Sequence, residues 1–139
     1  MKSKRIILDT NPWISFLITK NYTYLENLIR SQKVVLIFSE ELLEEFLEVT
    51  RRQKFLKYFS KRDTEKLLNT FDKFAELVEI TSKLKICRDE KDNFLLDLAV
   101  DGNVDYLITG DKDLLILDRI KKTQILTYQE FLEKIVSKE

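Results

Sequence analysis

Short apolar runs alternate with amphipathic segments along this chain, and that alternation constrains the fold more than any other feature. Residues 5–8 form the first run, and Val34–Phe38 forms a second that is rich in β-branched side chains. Uninterrupted apolar runs of this length are typical of strands whose two faces are both buried, as in a parallel sheet. We predict further strands at residues 77–80, 105–108 and 124–126.

The segments between these runs carry apolar residues at helical spacing. Pro12 can start a helix from its first turn, and Ser39 can cap another. We predict helices after Pro12, from about residue 24 to 32, after Ser39, and over residues 61–76, 91–100 and 128–136. Strands that alternate with helices indicate an α/β fold. We therefore expect one domain, residues 1–139, with three α/β/α layers around a mostly parallel five-stranded sheet.

Composition excludes several classes of protein. The chain has 2 Gly and 1 Pro among 139 residues, so long flexible linkers are not expected. A single Cys excludes an internal disulfide and suits a reducing, cytoplasmic location. The apolar run near the N-terminus is too short for a signal peptide, and no later run is long enough to span a bilayer.

Charge also restricts how the chain could bind nucleic acid. Lys plus Arg and Asp plus Glu both number 24, which gives a formal net charge of zero. Binding to nucleic acid would therefore depend on a local basic patch. Arg51 and Arg52 are candidates for such a patch, although a simply solvated position explains them equally well. The aromatic residues Phe55 and Phe59, which follow them at helical spacing, are better explained as core.

Acidic residues stand where predicted strands end or predicted helices begin. Asp9 follows the first strand, Asp111 and Asp113 follow the strand at residues 105–108, and Asp92 lies at a helix start. The chain has no His, which excludes a ribonuclease built on a His acid–base pair. Carboxylates gathered in one pocket repel each other, and a hard divalent cation such as Mg²⁺ or Mn²⁺ relieves that repulsion.

The predicted sheet gives these acids a common location. In open α/β sheets, ligands bind outside the carboxyl ends of the strands, where the strand order reverses. If the first and fourth strands are neighbours at that point, Asp9 and Asp111 face one crevice.

Each acid also has an ordinary structural explanation. Asp9 could cap the following helix, and Asp111 or Asp113 is expected to cap a short helix through residues 114–117. Asp92 could simply favour the dipole of its helix, and Asp97 could support a site or be solvated. The glutamates of residues 40–48 form the polar side of a helix, and periodicity alone does not choose among them.

Taken together, the motifs resemble the PIN-domain family of metal-dependent nucleases, in particular its branch of toxins from toxin–antitoxin pairs. The resemblance covers nearly the whole chain. It is carried by the sequences ILDTN at residues 7–11, SEELLEEF at 39–46, DEKDNFL at 89–95 and DYLITGDKDLL at 105–115.

The resemblance implies roles for particular residues. The catalytic acids would be Asp9, Glu45, Asp92 and Asp111. The ligands of Mg²⁺ or Mn²⁺ would be Asp9, Asp92 and Asp111, with Asp113 as a further acid that some family members use. Asn11 and Thr109 would be supporting polar residues. The choice of Glu45 over its neighbours rests on the resemblance.

The resemblance also implies an activity and partners. It implies an endoribonuclease that leaves 5′-phosphate and 3′-hydroxyl ends, with RNA as substrate, an antitoxin protein as partner and a homodimer as assembly. Lys112 lies between two of the acids and is the better-placed candidate for a phosphate contact, with Arg51 and Arg52 as weaker ones.

Two rival functions stay open at this point. One is an Asp-based phosphatase on an α/β fold, although Asp9 is followed by Thr10, Asn11 and Pro12 and not by the second acid that such sites usually have. The other is a non-catalytic binding module that keeps the PIN-like scaffold.

Overall fold

A computed structural model of the chain describes residues 3–19, 23–52, 62, 69, 73, 75–84 and 90–137. The strands within these ranges are β1 (Lys4–Leu8), β2 (Val34–Phe38), β3 (Ala75–Leu77), β4 (Tyr106–Ile108), β5 (Arg119–Ile120) and β6 (Thr123–Leu126). The helices are α1 (Thr10–Thr19), α2 (Thr23–Arg30), α3 (Glu40–Thr50), α4 (Glu90–Asp101), α5 (Lys112–Leu115) and α6 (Tyr128–Ser137).

The strands form one sheet in the order β3-β2-β1-β4-β6-β5. All neighbouring strands pair in parallel except β5 and β6, which form an antiparallel hairpin. From β1 the chain adds β2 and β3 on one side and then crosses to place β4 on the other side. The strand order therefore reverses between β1 and β4, whose residues Ile7 and Leu107 are paired. The first and fourth strands are therefore neighbours, as a crevice shared by Asp9 and Asp111 requires.

Both faces of the sheet are covered. Ile6, Ile7 and Leu8 are successive residues of β1, and each is fully buried. Because successive side chains of a strand point to opposite faces, solvent is excluded from both sides. Leu36 to Phe38 in β2 and Tyr106 to Ile108 in β4 show the same pattern. The fold is thus the predicted α/β fold with three layers.

Helix starts are stabilised by side chains that the local sequence supplies. Ser39 is fully buried, and its Oγ accepts a hydrogen bond from the backbone N–H of Leu42 at 3.1 Å, which caps α3 as predicted. At α6 the Thr127 Oγ1 accepts from the Glu130 N–H at 3.2 Å, while Glu130 accepts from the Thr127 N–H at 3.1 Å. This reciprocal pair is a capping box.

Two parts of the sheet differ from the sequence prediction. The third strand is Ala75–Leu77, so the strand predicted at residues 77–80 was misplaced. Residues 75 and 76, which were predicted to be helical, belong to this strand. This strand has three residues, and Glu76 and Leu77 are exposed at the sheet edge, so it lacks the apolar pattern of a buried strand. The sheet also has a sixth strand, β5, which is only two residues long and shows no periodicity.

Some predictions fall on residues that are not described. The helix predicted for residues 61–76 lies mostly outside the described ranges, as do Cys87, Phe55 and Phe59. Among the helices that are described, none has the length and apolar character needed to cross a membrane.

Candidate active site

Asp9 lies at the carboxyl end of β1 and is held there by backbone and side-chain contacts. Its N–H donates to the Ile108 carbonyl at 3.0 Å, which extends the pairing of β1 with β4 by one residue. Its Oδ1 accepts from the Thr10 N–H at 2.7 Å, and its Oδ2 accepts from the Thr109 hydroxyl at 2.9 Å. The carboxylate is therefore fixed between the first and fourth strands.

Burial raises the pKa of the Asp9 carboxyl above its ordinary value. The donors of Thr109 and Thr10 favour the ionised form and oppose that rise, whereas the negative charge of Asp111 adds to it. This repulsion shows that the two acids share one electrostatic environment, as the sheet order predicted.

Asp111 follows β4 and begins α5. It is the N-cap of this helix, and its Oδ1 accepts from the Asp113 N–H at 2.9 Å. Its own N–H donates to the Thr109 hydroxyl at 3.0 Å. The expectation that Asp111 or Asp113 caps a short helix is confirmed. Capping uses one of the two carboxylate oxygens of Asp111.

The site also contains a cluster of three carboxylates, formed by Asp92, Asp111 and Asp113, whose ligand oxygens lie within 4.8 Å of one another. Asp92 comes from the first turn of α4 and is 7 % exposed, whereas Asp113 is exposed. Donors that are all oxygen suit a hard cation, which tolerates bound water and carboxylates together. The cluster therefore fits Mg²⁺ or Mn²⁺ by its chemistry. Asp9 is outside this group of three. The Thr109 hydroxyl links it to Asp111, because it donates to the Asp9 carboxylate and accepts from the Asp111 N–H.

Glu45 differs from the other glutamates of α3. Glu41, Glu44 and Glu48 are exposed, whereas Glu45 is half-buried and its Oε2 accepts from the Thr10 hydroxyl at 3.3 Å. The structure thus distinguishes one glutamate where periodicity did not. All of them line an open pocket of about 210 Å³, together with Arg52 and Phe94.

The remaining predicted residues have less direct positions. Asn11 is exposed on α1, next to Thr10, and Lys112 is exposed on α5 between Asp111 and Asp113. Arg51 and Arg52 are exposed at the end of α3. The Arg52 guanidinium lies 4.0 Å from the Glu48 carboxylate, so part of its charge is balanced within the helix.

Two residues were left open or unassigned by the sequence. Asp97 is 8 % exposed, and its Oδ1 accepts from the Leu84 N–H at 2.8 Å, so it anchors the chain before α4 and is not a solvated acid. Thr10 was not singled out at all. Its position directly after Asp9, at the first residue of a helix, was the only signal that the sequence offered.

Comparisons with known proteins find a similar sequence and a similar fold. The uncharacterized protein MJ1680 of Methanocaldococcus jannaschii is 29% identical over 141 residues, an alignment that covers 94% of this chain and 90% of that protein. A crystal structure of VapBC2 from Rickettsia felis bound to a DNA fragment from their promoter superposes with a TM-score of 0.53 at 19% identity. That superposition covers 87% of this chain and 96% of the other.

Sequence comparison with protein families identifies the domain itself. The sequence model of the PIN domain matches residues 5–113, which include every acid of the candidate site. The match begins in β1 and ends in α5, so it covers both strands that form the crevice. The chain therefore belongs to the PIN-domain family.

Proposed function

We propose that this protein is an endoribonuclease that depends on Mg²⁺ or Mn²⁺ and acts as the toxin of a toxin–antitoxin pair. PIN domains are generally nucleases. The observation that carries the proposal is the cluster of Asp92, Asp111 and Asp113 beside Asp9, at the point where the strand order reverses. Ligands of open α/β sheets bind at this point.

In this proposal Asp92, Asp111 and Asp113 hold the cation, with Asp9 as a ligand on the side of β1. A bound Mg²⁺ or Mn²⁺ supplies a water of lowered pKa and neutralises charge on the scissile phosphate. Glu45 orients the attacking water or accepts its proton. Lys112, between Asp111 and Asp113, contacts a phosphate of the substrate. Arg51 and Arg52 bind other phosphates of the RNA.

The partner assignment rests on likeness of fold. The VapBC2 structure supports an arrangement in which this chain pairs with an antitoxin. Formation of a homodimer and a cytoplasmic location stay predictions.

The test is cleavage of labelled single-stranded RNA by the purified protein with Mg²⁺, Mn²⁺ or EDTA. We expect cleavage with either metal, none in EDTA, and none by an Asp9→Asn variant. Asp118→Asn is the matched control, because Asp118 is an exposed acid outside the site, and this variant should cleave like the wild type.

An active Asp9→Asn protein would show that the proposed site is wrong. Cleavage that persists in EDTA would exclude metal dependence. Hydrolysis of small phosphate esters without RNA cleavage would favour a phosphatase, and absence of both activities and of metal binding would favour a binding module.

A further inference from the structure

Thr10 contacts two acids of the candidate site from a buried position. Its side chain is 3 % exposed. Its backbone N–H donates to Asp9 Oδ1 at 2.7 Å, and its hydroxyl donates to Glu45 Oε2 at 3.3 Å. Asp9 follows β1 and Glu45 lies on α3, so this one residue connects carboxylates that are 36 positions apart in the chain.

Thr109 makes a comparable connection on the other side of Asp9. It is 1 % exposed, donates to Asp9 Oδ2 and accepts from the Asp111 N–H. A continuous path of hydrogen bonds therefore runs from Glu45 through Thr10, Asp9 and Thr109 to Asp111. Both threonines are neutral donors, which hold a carboxylate in its ionised form without adding a positive charge that would compete with a cation.

The pocket around Glu45 carries several negative charges. Glu41, Glu44 and Glu48 line the same pocket, and their negative charges repel the Glu45 carboxylate. A glutamate side chain is also long and has several rotamers. A hydrogen bond from the buried Thr10 hydroxyl favours those rotamers that keep the Glu45 carboxylate in contact with Thr10, the residue directly after Asp9.

We propose that Thr10 is a positioning residue whose hydroxyl holds the Glu45 carboxylate in place, while its backbone N–H contacts Asp9. The inference rests on the proposed function, because it assigns Thr10 a part in the cleavage attributed to Glu45. Thr10 does not touch the substrate in this scheme and acts through Glu45.

The experiment combines changes at both residues. Thr10→Val keeps the shape of the side chain and removes the hydroxyl, and Thr10→Ser keeps the hydroxyl. Loss of a group that orients a site residue lowers activity by about 10- to 100-fold. We expect a fall of that order in kcat for Thr10→Val with little change in KM, and near wild-type cleavage for Thr10→Ser. In a Glu45→Ala background, Thr10→Val should have no further effect on kcat.

Glu44→Ala is the matched control on the same helix, and in that background Thr10→Val should keep its full effect. Equal losses for Thr10→Val with and without Glu45, or equal losses for the Val and Ser variants, would overturn the proposal. If Thr10→Val does not fold, Thr10→Ala replaces it in the same set of variants, because alanine also lacks the hydroxyl and is smaller than valine.

A readout without metal or RNA separates this inference from the proposed function. Thermal unfolding in EDTA of the wild type, Thr10→Val, Glu45→Ala and the double variant measures whether the two side chains interact. Non-additive Tm changes support the contact, and additive changes contradict it. A wild-type protein that cleaves no RNA would contradict the proposed function, while the unfolding comparison would still decide the contact.

Discussion

Asp9 illustrates how much of the site depends on the surroundings of a single residue. Its carboxylate has two good donors, Thr10 and Thr109, yet burial still raises its pKa. A carboxyl whose pKa is higher in the folded than in the unfolded state destabilises the fold when it is ionised. This penalty is absent below the ordinary pKa of 3.8 and is complete above the raised value.

The Asp9→Asn variant should therefore be more stable than the wild type at neutral pH without metal, although we expect it to be inactive. The difference in Tm should shrink as the pH falls through the raised pKa of Asp9 and should be small near pH 3.8, where the wild-type carboxyl is protonated. Thermal unfolding in EDTA across this pH range measures it.

Asp118→Asn removes one negative charge at an exposed position and is the control for a general effect of charge. If Asp9→Asn were less stable than the wild type at neutral pH, the two hydrogen bonds to the carboxylate would outweigh its burial.

The sequence motifs placed Asp9, Asp92 and Asp111 correctly at a strand end or a helix start. They did not predict which groups lie within contact distance. Glu45 was separable from Glu41 and Glu44 only by resemblance, because all of them suit the polar side of a helix. The hydrogen bond from Thr10 distinguishes Glu45 from the other glutamates, and this bond joins α1 to α3.

Among the elements, those with a complete apolar pattern were predicted well. Val34–Phe38 is a strand with the predicted bounds. α4 extends one residue beyond the prediction at each end, and α6 begins at the predicted residue and ends one residue later. The strands that were misplaced or missed, Ala75–Leu77 and Arg119–Ile120, are short and lie at sheet edges. An edge strand owes its structure to its neighbour, so its own sequence carries little pattern.

The packing of α4 against the sheet provides a prediction at this scale. A Cβ at Gly102, just after α4, would lie 2.9 Å from Ile37 Cγ2 of β2 and 2.9 Å from the Leu98 carbonyl oxygen. Gly102→Ala should therefore lower the free energy of unfolding by about 1–3 kcal/mol, the usual range for overpacking. Urea unfolding measures this change.

Gly110→Ala is the matched control, since a Cβ there meets nothing within 4 Å. Its free energy of unfolding should stay close to that of the wild type. Equal stability of the two variants would mean that α4 shifts away from β2 at little cost.

For the molecule as a whole, the strand order determines the site. Because β1 pairs in parallel with β4, and β4 pairs in parallel with β6, the carboxyl ends of these three strands lie side by side. α4 then contributes Asp92 to the same place. Three carboxylates whose oxygens are within 4.8 Å of one another repel each other in the folded state and much less in the unfolded chain.

A divalent cation should therefore stabilise the folded protein. Binding to the folded state alone adds about 2.7 kcal/mol when free metal is at 100 times its Kd. We expect Mg²⁺ or Mn²⁺ to raise the Tm of the wild type and EDTA to reverse the rise. Asp92→Asn should reduce this response, because it removes the most buried carboxylate of the cluster.

Asp118→Asn should respond to metal like the wild type. A Tm that rises equally in Asp92→Asn and the wild type would place the cation elsewhere on the protein.

The α/β class, most of the strands and helices, and the positions of Asp9, Asp92 and Asp111 at their ends were predicted from the amino-acid sequence. These features depend on local patterns of apolar residues and caps, which a short stretch of chain contains. Only the folded chain shows the antiparallel strand β5, the bounds of β3, the separation of Glu45 from its neighbours, and the contact of Thr10, at the start of α1, with Glu45 of α3. Each of these depends on residues distant in the chain, and a local pattern does not specify which distant groups it will meet.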